Sequence, residues 1–400
     1  MVKLLTLSRK FIRRSYNYLY SMRIAIFGGA FNPVHREHVN LAKQAVEGLN
    51  LDKIIIMPTA VSPHKSGKLH VDFAHRSEMC RIAFSSIPRA EVSDFEFTQG
   101  GVSYTYLTCE HYAQIYPNAE RYLLMGYDML ESFPAWRNPE RIVKCFNLVA
   151  CAREKSDGFT EAQRRVEKQF GVRVVALPYV GAKVSSTAVR TLACLGEDIR
   201  QFVNDGVWQY IEGNGLYGLK LSREIKEVRS LLTAERWAHT VRVALMCAEN
   251  GSRANLTESE AITLGALHDC AKCLPADSKL LDGFTPPKDV PPPVLHQFSG
   301  AFVAEHYFGL KDKKLLDAIG CHTTGRENMT DADVLLYLAD LLEAGRSFDG
   351  VESLRRIFEI NMRACLKEAL KRQLEYLKGT GAPIDERTLR AYNWIKDEKL

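Results

Sequence analysis

A doubly wound parallel α/β domain followed by an all-helical domain is the architecture this sequence predicts, on three observations. The chain has 400 residues, which exceeds one ordinary domain and suggests two. Its first half alternates short apolar, β-branched runs with segments of helical period. After "GNGLYGLK" (213–220) the alternation stops, and from Ser222 onward nearly every segment reads as helix rich in Leu, Ala, Glu, Lys and Arg. The boundary is expected near residue 216, with domains over 22–216 and 217–400.

The expected strands come in order. They are "RIAIFGG" (23–29), "KIIIMPT" (53–59), "YLLMG" (122–126), "FNLVACAR" (146–153) and "VRVVALP" (172–178). Between them Val39 to Leu49, Ala74 to Ser85 and Thr160 to Phe170 carry helical periodicity. Near-continuous apolar strands separated by helices mean a parallel, Rossmann-like sheet covered on both faces, with ligands at the carboxyl ends of its strands. In the second half the main break is "GFTPPKDVPPPVLH" (283–296), whose five prolines force a loop before a new helix.

Composition removes several function classes. With 46% hydrophobic and 25% charged residues the chain reads as an ordinary globular protein. A net charge of +5 is mild over this length and suits anionic small molecules as readily as nucleic acid, so it decides nothing; the partners expected are small molecules, with no nucleic acid. Ten cysteines at irregular spacing suit a reducing compartment, so a cytoplasmic location is expected. No stretch approaches the apolar length a spanning helix needs, and no membrane partner is expected. Residues 1–21 are basic and aromatic with no acidic residue, yet lack the apolar core and cleavage site of a targeting peptide. They are expected to be a surface arm, or to precede a native start at Met22.

The first chemical signal is "GGAFNPVHREH" (28–38), directly after the first strand. Gly28 and Gly29 permit close approach of a phosphate to the backbone, where a side chain would block it. His35 and His38, at i and i+3, share a face in the first turn of the following helix. "SPHK" (62–65) after the second strand adds His64 and Lys65 as cations. "VSSTAVR" (184–190) offers Ser185, Ser186 and Thr187 at a helix N-terminus and Arg190 one turn later as a fork for phosphate. Each alone is weak; together, each after an expected strand, they describe a polyphosphate site.

With "FAHRSEM" (73–79) and "LLMGYDMLESFPAWRNPE" (123–140), these motifs make the half from Met22 to about Tyr217 resemble the nicotinate-mononucleotide adenylyltransferases of bacterial NAD synthesis. The wider superfamily usually shows His-x-Gly-His, whereas Glu37 stands in the glycine place here. The resemblance implies transfer of AMP from ATP to nicotinate mononucleotide, with Mg²⁺ as partner of the ATP. It assigns His35, His38, Lys65, Ser186, Thr187 and Arg190 to the ATP phosphates, and counts Gly28, Gly29 and Phe31 as substrate-binding. Gly126 and Asp128 would lie by the ribose or adenine, and Tyr104 and Thr105 would approach the pyridine carboxylate through backbone amides. Trp136 offers an aromatic face to the pyridine ring, with a packing role equally open. The nucleophile is a phosphate already ionised at neutral pH, so positioning and charge stabilisation, not a general base, carry the catalysis.

The second signal is a set of four histidines and two aspartates in the helical half. They are His239, His268, Asp269, His296, His322 and Asp340. Imidazole and carboxylate without thiolate suit iron, manganese or zinc. Adjacent His268 and Asp269 can serve two ions if the carboxylate bridges them, and such a pair generates a hydroxide and clamps a phosphoryl group. "CAKC" (270–273) has no second pair and is read as packing, as are Cys321 and the lone His306.

The pattern H…HD…H…H…D, with "HTTG" and "YLADLLEAGRSFDG", resembles the HD-domain phosphohydrolases from about Leu221 to Leu400. Within them it resembles the symmetrical diadenosine tetraphosphate hydrolases. That resemblance implies an HD-type helical domain with a di-iron centre (manganese as the alternative) and cleavage of the dinucleotide into two ADP. Asp269 is then catalytic as well as a ligand. Lys272, Arg326 and Arg346 are phosphate contacts or solvated surface charge, evenly balanced. Two alternatives stay open: an adenylyltransferase for another acceptor such as phosphopantetheine, and a helical half that is a nucleotide-binding regulatory module. Assembly into a homo-oligomer is left open.

Overall fold

The computed structural model describes residues 22–60, 71–153, 158–182, 184–218 and 222–398. The extension over 1–21, and His64 and Lys65, lie outside the described residues. Contacts divide the chain into two compact units, the second beginning at Tyr217 and also taking Arg190–Asp198.

The first unit is built in alternation. Strand β1 (Arg23–Gly29) leads to helix α1 (Arg36–Gly48), β2 (Lys53–Pro58) to α2 (Phe73–Phe84), and a short β3 (Ala90–Val92) to α3 (Phe95–Gln99) and α4 (Thr105–Ile115). Strand β4 (Glu120–Gly126) is followed by α5 (Tyr127–Ser132) and α6 (Pro139–Cys145). Strand β5 (Asn147–Arg153) precedes α7 (Gly158–Phe170), and β6 (Val174–Gly181) precedes α8 (Ser186–Cys194) and α9 (Asp205–Gly213). All six strands are parallel in the order β3-β2-β1-β4-β5-β6. The five expected strands are present, and β3 is the addition. Its three residues are too few to leave a period in the sequence.

The doubly wound sheet follows from the strands' apolar content. Ile24, Ala25, Ile26 and Phe27 are all buried, which requires cover on both faces. Ile24, Ile26, Ile55, Leu123 and Leu148 join one core beneath α5, α6 and α7. The strand order reverses direction between β1 and β4, and such a switch point opens a crevice at the carboxyl ends. Register places Phe27 beside Leu124, so Gly28–Gly29 and Gly126 leave the sheet side by side.

The second unit is helical among its described residues. It comprises α10 (Ser222–Leu231), α11 (Ala234–Asn250), α12 (Glu258–Leu267), α13 (Leu295–His306), α14 (Lys313–Ile319), α15 (Asp331–Leu342), α16 (Val351–Ile360), α17 (Met362–Thr380) and α18 (Glu386–Ile395). Thr233 caps α11 by accepting from the Arg236 N–H, and Thr257 with Glu260 forms a reciprocal capping box on α12. Between these helices Gly265 is obligatory. A Cβ there would lie 2.5 Å from Ala244 Cα. Its absence lets α11 and α12 touch backbone to backbone and carries His239 up to His268.

Candidate functional site

At the switch point His35 occupies the N-cap of α1 with extended backbone. Its amide donates to His38 Nδ1 at 3.2 Å, and the two rings stack with centroids 3.7 Å apart. That contact occupies Nδ1 and leaves Nε2 as the ring nitrogen that can meet a phosphate oxygen. Among the described residues beyond its chain neighbours, no atom lies within 4 Å of where a Cβ on Gly28 would stand.

Phe31 takes a different place from the one expected. Its ring is buried, edge-on to His38 at 5.0 Å and packed against Phe27 and Phe84. Its backbone has φ of 45°, a strained conformation for a bulky residue. Phe31 therefore packs beneath His38 with its ring in the core.

The hydroxyl cluster divides its work. Ser185 Oγ accepts from the Ala188 N–H and caps α8, while Ser186 Oγ donates to the Pro33 carbonyl at 3.0 Å. Arg190, on the same helix, is 2% exposed, and its fork closes on Glu258 through two 2.6 Å bonds. Both residues belong to the helical unit. Expected at a phosphate, Arg190 is instead committed to a carboxylate 68 residues further along the chain.

Gly126 ends β4, and a Cβ there would lie 2.9 Å from Asp128 Oδ1, so this glycine lets Asp128 fold back on the strand end. Tyr104 precedes Thr105 at the start of α4. Its hydroxyl accepts from Arg137 at 3.1 Å, which brings that turn to the segment carrying Trp136. Trp136 is half-buried on Phe133 with its Nε1 3.4 Å from Ser132 Oγ, so it packs and keeps an accessible edge together. Arg76 was not singled out by sequence. It is fully buried and donates to the carbonyls of Ala30, Ala60 and Val71, fastening the ends of the loops that leave β1 and β2.

The helical unit gathers all six expected metal ligands. Asp269 sits between two histidine pairs. Its Oδ2 lies 3.4 Å from His268 Nε2 and 3.9 Å from His239 Nε2. Its Oδ1 lies 3.4 Å from His296 Nε2 and 3.6 Å from His322 Nε2. Two ligand triplets result, His239–His268–Asp269 and Asp269–His296–His322. Asp340 Oδ1 adds to the first pair at 3.0 Å from His239 Nε2. Buried Asp269 Oδ1 accepts no hydrogen bond from any described residue, which fits an atom reserved for a cation. The residues thus fit a divalent-metal site, with Asp269 common to both triplets.

Outer contacts fix the imidazoles. Nδ1 of His268 bonds the Gly265 carbonyl at 2.7 Å, Nδ1 of His322 the Ile319 carbonyl at 2.8 Å, and Nδ1 of His239 the Glu343 carboxylate at 3.1 Å. Each Nε2 is left facing the cluster, the orientation a metal ligand needs. Burial and then His322 push His296 down to about 3, so it is neutral, the form that ligates. Burial alone would raise Asp269, but His268 and His322 hold its carboxyl far below the usual range. Burial pushes Lys272 down, and its Nζ rests 3.0 Å from His296 Nδ1. Arg346 bonds Asp340. Arg326 instead closes on Asp333 in the cap of α15. Sequence reasoning missed Glu343 and Arg236, which pairs with Asp269 Oδ2 at 3.0 Å. Their signal was i, i+3 spacing, Arg236 to His239 and Asp340 to Glu343.

The comparisons follow the same division. The cytidylyltransferase-like family matches residues 26–192, and the HD domain matches 236–345. A relative from Mycoplasma pneumoniae named "probable nicotinate-nucleotide adenylyltransferase/Ap4A hydrolase" is 32% identical over 80% of this chain and 88% of its own. A protein of the same name from Mycoplasma genitalium is 28% identical over 81% and 88%. A "probable nicotinate-nucleotide adenylyltransferase" from Clostridium tetani is 34% identical over 48% of this chain and 98% of its own. Two units, two matched domains and relatives aligned across both place this chain in the nicotinate-nucleotide adenylyltransferase/Ap4A hydrolase family, enzymes that join a nucleotidyltransferase to an HD hydrolase domain.

Proposed function

We propose that residues 22–216 transfer AMP from ATP to nicotinate mononucleotide, and that residues 217–400 split diadenosine tetraphosphate symmetrically. In the first reaction a phosphate oxygen of the mononucleotide attacks the α-phosphorus of ATP, and the bond to pyrophosphate breaks. His38 Nε2, His35, Ser186, Thr187 and Lys65, with Mg²⁺, hold the phosphates, and Gly28 and Gly29 admit them to the backbone. Gly126 and Asp128 receive the ribose or adenine; Tyr104, Thr105 and Trp136 receive the pyridine. Arg190 drops out of this set because its fork is held by Glu258.

In the second reaction water attacks a phosphorus of the tetraphosphate and ADP departs, leaving a second ADP. Two divalent ions, iron first and manganese as the alternative, supply an activated water and neutralise phosphoryl charge when bound. His239, His268, His296, His322, Asp340 and shared Asp269 hold them, while Lys272, Arg236 and Arg346 offer cations beside the cluster. The observation that supports this reading is the division of Asp269's two oxygens between two histidine pairs. A cytoplasmic location is proposed with it. All ten cysteines are free thiols, and no described helix is long and apolar enough to cross a membrane.

The test is incubation of iron- or manganese-loaded protein with diadenosine tetraphosphate beside a His268→Ala control, with products separated by chromatography. Two ADP, lost in the control, support the reading. ATP with AMP, or no product from metal-loaded protein, overturns symmetrical cleavage and leaves another phosphoester or a regulatory role for the helical half.

A further inference from the structure

Glu37 is the residue that departs from the superfamily's glycine in "HREH", and its position poses an electrostatic problem. It lies in the first turn of α1 between His35 and His38, where a carboxylate turned inward would repel a triphosphate. Its carboxylate is turned sideways. Oε2 accepts from the Tyr179 hydroxyl at 2.7 Å and from the Ala182 N–H at 2.8 Å, and Oε1 accepts from Asn40 Nδ2 at 3.0 Å. Burial, and then Glu37 itself, push the Tyr179 hydroxyl up, so it stays a donor. Gly181 makes the approach possible, since a Cβ there would lie 3.0 Å from Glu37 Oε2.

These contacts join the first turn of α1 to the end of β6. Ala182 precedes Ser186 by four residues, and Ser186 is itself bonded to the Pro33 carbonyl. The hydroxyl-bearing start of α8 is therefore held to the β1–α1 segment from two sides. A clamp of this kind matters for a ligand bound by both segments at once, because segments already held in the binding arrangement spare the ligand the cost of ordering them.

We propose that Glu37 is a positioning residue of the adenylyltransferase, a carboxylate clamp that sets Ser186 and Thr187 in register with His35 and His38 for the phosphates of ATP. Its charge is turned away from the substrate and satisfied by Tyr179, Ala182 and Asn40. The clamp serves the ATP side of the reaction and leaves the pyridine side untouched. This inference rests on the assignment of His35, His38, Ser186 and Thr187 to ATP.

The experiment is steady-state kinetics of the full chain with each substrate varied, for Glu37→Gln, Glu37→Gly, Tyr179→Phe and the double variant Glu37→Gln/Tyr179→Phe. The expected result is a rise in the KM for ATP of about 3- to 10-fold in each single variant, the size that the net worth of one intramolecular hydrogen bond implies. The KM for nicotinate mononucleotide should stay constant, and the double variant should be no worse than the poorer single one. A purely structural role would lower Vmax and leave both KM values unchanged. That outcome, unchanged kinetics, or equal rises for both substrates overturns the clamp. His35→Ala separates the two readings. If it abolishes turnover while the Glu37 variants behave as wild type, only the clamp fails; if it leaves turnover intact, the ATP assignment fails with it.

Discussion

The carboxylate of Glu343 bonds His239 Nδ1 at 3.1 Å and holds that ring with Nε2 turned toward His268. Arg242 in turn grips Glu343, and this charge holds the carboxyl below its usual range against the opposing effect of burial. Glu343 is thus an anion that orients His239 and strengthens its basicity.

Replacing it should loosen one half of the centre. Glu343→Ala is expected to weaken metal affinity by about 10- to 100-fold, the range for loss of such outer partners. Competition with a chelator, followed by elemental analysis, reads the change. An unchanged affinity would mean that His239 is oriented by packing alone.

Asp269 and Asp340 should differ in what they release. Asp269 faces both histidine pairs, whereas Asp340 faces His239. Asp269→Asn is expected to lose both ions together, and Asp340→Asn to lose one and retain the other. Native mass spectrometry of metal-loaded protein counts them. One retained ion in the Asp269 variant would rule out the shared carboxylate.

Arg190 should act on stability. Removing one partner of a buried ion pair typically costs about 3–5 kcal/mol, while replacing both with apolar residues is often neutral. Arg190→Ala is therefore expected to lower the unfolding midpoint of the helical unit, and Arg190→Met with Glu258→Leu to restore it, with the KM for ATP unchanged in both. A selective rise in that KM would return Arg190 to the phosphates.

Glu96 carries a pH signature. The residue is 7% exposed and accepts from the Thr108 hydroxyl at 2.9 Å, and burial raises its pKa. The folded state then binds the proton more tightly than the unfolded state, so this group's stabilising contribution is present at acid pH and is lost as pH rises through the folded value. Glu96→Gln, which resembles the protonated form, should match wild type near pH 4 and melt higher at neutral pH. A melting difference that does not grow with pH would contradict the sign.

Local pattern made most of this legible. Strands β1, β2 and β4 announce themselves by unbroken apolar runs, and Gly28–Gly29 and the two first-turn histidines mark the end of β1. The six candidate metal ligands stand out because imidazole and carboxylate recur on one group of helices. What stayed hidden depends on partners distant in sequence. Nothing near Arg190 indicates that Glu258 will take its fork, and nothing near Phe31 shows that its ring turns beneath His38. Glu37 shows in the sequence only as a departure from the motif, because its donors Tyr179 and Ala182 lie at the end of β6.

Arg76 has an evolutionary corollary. Its guanidinium grips three main-chain carbonyls, those of Ala30, Ala60 and Val71, and every residue type presents the same carbonyl. Exchange of the side chains at those three positions is therefore expected to leave the grip intact, and exchange of Arg76 to release it. A saturation library over the four positions would show three permissive columns around one invariant.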